Sequence, residues 1–200
     1  MKTLGKVLLL MAVFSIIGAC NKTDELDFNE ELTGMSLKKA QVMVTVPFKI
    51  KFVGTYLDGI VPCPDCGPWD PDNGEAWGLV QNEGGGTGTH LGKFNHYFEF
   101  CANFMTGEYP GDYMLAWFVA ANGDSLYVAC AGQVLDGRLD HHPEDVNSYF
   151  ADPFLILGGT GRFEDATGSG YTDDYNRDSY PENSFHHWTG TITMVKGNTK

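Results

Sequence analysis

Apolar and polar residues alternate with a period of two in segment after segment of this chain, and nothing else in it limits the fold so narrowly. In "QVMVTVPFKIKFVGTY", Val42, Val44 and Val46 share one face with Phe48, Ile50 and Phe52. In "NHYFEFCANF", Phe98, Phe100, Ala102 and Phe104 oppose Tyr97, Glu99, Cys101 and Asn103. A period of two is the mark of a strand with one buried face. "AWGLVQ", "SYFADPFLIL", "GSGYTDDYN" and "HHWTGTITMV" read as further strands, and "GRFEDAT" is the one short helical candidate. In "MLAWFVAANGDSLYVACAGQVL", Asn122-Gly123 is a two-residue hairpin signal. It predicts Ala121 opposite Asp124, Val119 opposite Leu126, Trp117 opposite Val128 and Leu115 opposite Cys130. About eight short strands with glycine-rich turns and no helical stretch predict an all-β fold, a closed antiparallel barrel or a sandwich.

The glycine segments need a reading of their own. "FLILGGTGRF" looks like a strand followed by a phosphate-binding turn. A dinucleotide turn requires a third glycine where the helix packs on the strand, and Glu164 stands there. The following helix would end within one or two turns, at Thr167-Gly168-Ser169-Gly170. "GGTGTHLGKF" has a Gly-Lys pair, but the spacing from Gly86 is wrong and Phe94 occupies the place of a metal-binding hydroxyl. Both phosphate readings are therefore excluded, and no cofactor is expected.

"ILGGTGRFEDATGSGY" resembles the "GGTGxF…A…GY" segment of plant dirigent proteins and of allene oxide cyclases. "THLGKF", "AANGDSL" and "GGTGRFEDATG", in that order, resemble exported bacterial proteins thought to share the same barrel. The resemblance spans roughly Thr87 to Gly168, and the order and spacing of the three motifs carry it. It implies a single closed antiparallel barrel of about eight strands, calycin-type, over residues 40–200. As a corner, the motif makes physical sense. Gly158, Gly159 and Gly161 allow unusual φ values, Phe163 can plug the barrel end, Ala166 leaves room for a backbone, and Gly168 with Gly170 lets the next strand coil. No catalytic residue of those families aligns here. Oligomers of the plant relatives imply a dimer or trimer for this chain.

The first residues carry an address. Lys2 and Lys6 precede "VLLLMAVFSII", an apolar run short for a membrane span. It ends in "IGAC", which resembles the lipobox of bacterial lipoproteins. That implies a signal peptide over 1–19, an acylated Cys20 and stable membrane anchoring; an ordinary secretory signal is the alternative. Asn21 departs from the inner-membrane retention signal. The polar, acidic stretch after it, over 20–39, reads as a flexible tether resembling a surface-export signal. Outer-membrane attachment, on the periplasmic face or the cell surface, is the expectation. Of the 13 basic residues, processing removes Lys2 and Lys6, leaving 11 against 26 acidic ones, a formal charge of -15. Such a surface disfavours nucleic acid and anionic lipid as partners.

Four cysteines remain. In "VPCPDCGPWDPDNG", the prolines forbid the helix that a redox Cys-x-x-Cys needs. A local Cys63–Cys66 disulfide, another bridge stapling this loop, a zinc half-site and free thiols stay open. In a simple meander Cys101 and Cys130 lie two strands apart, about 10 Å, too far for a mutual disulfide. "DPDNGE" reads as a solvated turn rather than a calcium loop. "RLDHHPED" and "HHW" hold adjacent histidines, and one of each pair could meet the other inside or at a rim; no metal site is assigned. "DDYNRDSYPEN" and "TGEYPGDY" suit a barrel mouth that binds a sugar or a protein, or plain exposed loops. No Ser-His-Asp or Cys-His set and no carboxylate couple can be assembled from spacing. Three functions follow. The first is a binding module for a small apolar or phenolic ligand or an envelope partner. The others are an isomerase or cyclase acting in the lumen, and a structural accessory with a packed barrel.

Overall fold

The structure, a computed structural model, describes residues 41–57, 61–110, 115–178 and 183–197. Cys20, the signal segment and the tether lie outside them. The barrel unit is Ala40–Lys200. Eight antiparallel strands build it: β1 (Met43–Tyr56), β2 (Glu75–Gly88), β3 (Gly92–Asn103), β4 (Leu115–Ala120), β5 (Ser125–Cys130), β6 (Pro153–Gly159), β7 (Thr167–Thr172) and β8 (Ser184–Val195). Each pairs with the next in sequence, and β8 pairs back onto β1 from Met43↔Val195 to Gly54↔Ser184, so the sheet closes with no free edge. Short strands at Val146–Phe150 and Asp174–Arg177 extend one end of the barrel beyond β8.

The alternation holds from Phe48 to Phe52 in β1 and from Phe94 to Phe98 in β3, but it fails at the strand ends: Val42 and Phe104 are exposed, and Cys101 and Asn103 are buried. Phe48, Ile50, Phe52, Phe94 and Phe98 are buried, joined inside by Phe118, Leu126, Phe154, Trp188 and Ile192. Phe52 is the hub: its ring lies 5.3–5.8 Å from those of Phe94, Phe98, Phe118 and Trp188, and 4.3 Å from His186. Fully burying one such side chain is worth about 1.5–3 kcal/mol, and this packed half of the lumen is the core.

The hairpin register differs from expectation by one residue. Trp117 opposes Tyr127 and Phe118 opposes Leu126. The loop is three residues, Ala121 to Gly123: Gly123 donates to Ala120, Ala120 donates to Asp124, and Gly123 has φ +89°. This is a type I turn closed by a glycine bulge. The slip matters because it sends Phe118 and Leu126 inward together, both fully buried.

The second strand also runs further than its apolar part suggests, through the glycine run 84–88. A Cβ on Gly86 would stand 2.1 Å from the Lys51 carbonyl oxygen; only glycine lets β2 coil this tightly on β1.

The second glycine segment is a corner. Gly158 follows a bulge at the end of β6, Gly159 pairs with Leu126, and Gly168 pairs with Ile192. Between them Gly161–Phe163 forms one 3-10 turn, with Phe163 fully buried and Ala166 beside it. Gly161 has φ +57°, and a Cβ there would strike Asp124 at 2.0 Å. Arg162 binds Asp124 Oδ2 through Nε at 3.0 Å and donates from Nη1 to the His90 carbonyl at 3.0 Å. The segments "THLGKF", "AANGDSL" and "GGTGRFEDATG" therefore meet through one arginine and close one end of the barrel.

Candidate functional site at the open barrel mouth

The opposite end is open. The last turn of β1, the start of β2 and the end of β3 splay around a cleft of about 690 Å3. Leu79, Val80, Phe100, Ala102 and Met105 supply apolar wall, while Asn103, Asn147, Asn176 and Asn183 supply amides. Among the described residues Asp136 is the one charged residue of this lining, and no cation lines it. The Asn183 Oδ1 atom is buried and has no hydrogen-bond partner. Tyr56, Phe100 and Val134 form the cleft's floor and also line a smaller cavity of about 40 Å3 beneath it. That volume holds a water-sized group.

Beneath the floor lies a chain of buried polar side chains. Asp174 accepts from three N–H groups: His186 Nδ1 at 2.9 Å, Trp188 Nε1 at 2.8 Å and the His187 backbone at 3.0 Å. With Nδ1 donating to Asp174, the His186 Nε2 accepts from the Ser184 hydroxyl at 2.5 Å. Asn82 Nδ2 donates to Ser184 Oγ at 3.3 Å, and Asn82 Oδ1 accepts from His96 Nε2 at 2.9 Å. All donors point one way, from His96 to Asp174. His96 Nδ1 is left buried with no partner. Burial, then the neighbouring His186, pushes the His96 pKa down to about 3, so the ring is neutral at physiological pH.

Ser184, His186 and Asp174 thus have the bond pattern of a nucleophilic triad, which spacing did not reveal. "SFH" puts Ser184 and His186 on one face of β8, and the carboxylate comes from the short strand before it. Ser184 is fully buried, and a Cβ on Gly54 would lie 2.9 Å from its Oγ. With no room for a carbonyl carbon there, the hydroxyl orients His186 rather than attacking a substrate.

A second buried group flanks the small cavity. Tyr109 donates to Asp152, and burial holds the Asp152 carboxyl above its usual range despite that bond. Burial, then the charges of Asp174 and Asp152, pushes the Cys130 thiol up to about 12. Burial likewise pushes the Tyr56 phenol, which donates to Asn176, up to about 12. Phenols and thiol alike stay protonated as donors.

Of the alternatives left open for the loop cysteines, the structure has a bridge that staples the loop to β3 and not the local Cys63–Cys66 one. Cys66 is joined to Cys101, and Cys63 and Cys130 are free. The loop folds onto the outer wall of the barrel, pairing at Val61–Pro62 and again at Trp69–Asp70 with β2. Cys66 is thereby laid over β3, with its Cα 5.3 Å from that of Cys101.

The adjacent histidines do not meet across pairs either. His141 and His142 both contact Asp173, at 3.0 and 2.9 Å, while His186 has His96 as its histidine neighbour. His141, His142 and Asp173 have metal-like spacing. His142 Nδ1, however, accepts from the Leu139 backbone N–H at 3.2 Å, so Nε2 carries the proton and has no lone pair for a metal. Asp70–Glu75 forms a 3-10 turn, Pro71–Asn73, capped by Gly74.

No protein-family model matches the chain, and no characterised protein matches it in sequence. Among solved structures it is similar to a pterocarpan synthase dirigent protein, GePTS1. The TM-score is 0.43 at 12% identity, over 78% of this chain and 90% of that one.

Proposed function

We propose that this chain is a lipid-anchored envelope protein whose barrel mouth binds a small, uncharged molecule with an apolar body and a hydrogen-bond donor. The composition of the cleft carries this reading: about 690 Å3 walled by Leu79, Val80, Phe100 and Ala102, with amides from Asn103, Asn147, Asn176 and Asn183. The volume falls in the range of small-molecule sites. Among the described residues no cation lines the cleft, which disfavours phosphates and carboxylates. The packed aromatic half of the lumen leaves the mouth as the working volume, which supports binding over a purely structural role. An isomerase or cyclase is the second reading, favoured by Tyr109, which lines the small cavity and donates to the half-buried Asp152. The lipid anchor rests on the "IGAC" segment.

Titration with 2-naphthol, a neutral aromatic alcohol, tests the site. Saturable one-to-one binding is expected, and Thr106→Trp, which fills the cleft from its exposed rim, should abolish it. Equal binding by both proteins, or none by either, would refute the assignment.

A further inference from the structure

A free cysteine, Cys63, stands three residues before Cys66 of the Cys66–Cys101 disulfide. Cys66 N–H donates to the Cys63 carbonyl at 3.0 Å, closing a four-residue turn over Cys63-Pro64-Asp65-Cys66. Such a turn keeps its first and last Cα atoms within about 7 Å, the span that a disulfide bridges. Cys63 is free and half-buried. Cys66 therefore has a second cysteine at a Cα separation that a disulfide can span, within its own turn, besides the one on β3 to which it is bonded. The loop does not depend on the staple for its place. Val61 and Pro62 pair with Leu79 and Gly78, and Trp69 and Asp70 pair with Ala76 and Glu75.

We infer that Cys63, Cys66 and Cys101 form a thiol–disulfide exchange site. The Cys63 thiolate attacks Cys66 Sγ; the Cys63–Cys66 bond forms as the Cys66–Cys101 bond breaks. Cys101 leaves as a thiolate and takes up the proton that Cys63 gave to solvent. One thiol and one disulfide stand on each side, so the step consumes no oxidant or reductant. Cys130 takes no part: it is buried on β5, and its thiol is held protonated.

Exchange moves the staple from between loop and barrel wall to within the loop. Cys101 lies between Phe100 and Ala102 and opposite Leu79, and all three of these residues line the mouth cleft. The two disulfide isomers therefore differ at the cleft wall, one with the loop tied to β3 and one with β3 released.

The test uses the full chain purified without reductant. It is incubated at pH 8, quenched in acid, alkylated and mapped by mass spectrometry of its disulfide-linked peptides. The expected result is a Cys63–Cys66 bridge appearing alongside Cys66–Cys101, with a matching fraction of Cys101 alkylated. Its rate should rise with pH as the thiolate fraction rises, and Cys63→Ser should lose it completely. Cys66–Cys101 alone after prolonged incubation, with Cys63 quantitatively alkylated, would overturn the proposal. A Cys63–Cys101 bridge would overturn it equally, since the attack would then fall on the other sulfur. As a control, Cys101→Ser incubated with oxidised glutathione, which accepts the two electrons, should form the Cys63–Cys66 bridge; two alkylated thiols there would show that the turn does not permit it.

Discussion

Asp174→Ala removes one carboxylate from under three donors. The His186 ring, the Trp188 indole and the His187 amide would each lose an acceptor 2.8–3.0 Å away, at a position 1% exposed. Leaving one buried donor unsatisfied costs about 1–3 kcal/mol. Removing a single partner from a buried polar or charged set costs about 3–5 kcal/mol. His186 can recover part of this by moving its proton to Nε2, but the Ser184 hydroxyl must then turn away from it. The destabilisation expected is therefore about 3–5 kcal/mol, which at this domain size lowers the melting temperature by roughly 6–20 °C. Urea unfolding followed by tryptophan fluorescence measures it. Trp188→Phe, alone and combined with Asp174→Ala, completes a double-mutant cycle. Coupling of about 1 kcal/mol or more is expected from the shared bond. A loss below 1 kcal/mol for Asp174→Ala, or strict additivity, would refute the relay.

Gly161→Val should destabilise the barrel by about 1–3 kcal/mol, since a β-branched residue is strained at positive φ and Asp124 blocks its Cβ; an unchanged melting temperature would undo the corner argument. His96 has a folded pKa of about 3 against 6.5 when unfolded. The unfolded state therefore binds more protons between those values, and stability falls as pH drops below 6.5. The loss attributable to His96 is about 2 kcal/mol between pH 7 and pH 5. His96→Gln should remove that part of the slope, and identical pH profiles for the two proteins would count against a neutral buried imidazole. Cys20→Ser should release the protein from membranes into the soluble fraction; persistent attachment would rule out acylation at that position.

Much of the barrel can be read in the sequence because its strands have one buried face. Phe48-x-Ile50-x-Phe52 states its own face, and so does Ser184-x-His186-x-Trp188. The hairpin register was missed by one residue because Asn-Gly serves a two-residue loop and a bulged three-residue loop equally well. The partner in the loop's disulfide was left open because pairing depends on where a loop folds back, and nothing in "VPCPDCGPW" says that it lies on β3. The extent of β2 was hidden by glycine, which usually marks a turn but here serves close approach between strands. The polar relay was invisible for a different reason. Its members come from β2, β3, β8 and a short strand before β8, and only closure of the barrel brings Asn82, His96, Ser184 and Asp174 together. The amide-lined cleft shares that origin, since Asn103, Asn147, Asn176 and Asn183 come from four separate places in the chain.

Native mass spectrometry of the full chain purified from its own host, beside Thr106→Trp from the same host, tests ligand binding at the mouth most directly. A reproducible extra mass of small-molecule size on the wild type, lost on denaturation and absent from the variant, is the predicted result. It would also identify the ligand's chemical class. The same bare mass for both proteins, or an adduct that persists in the variant, would contradict a small-molecule site in the cleft.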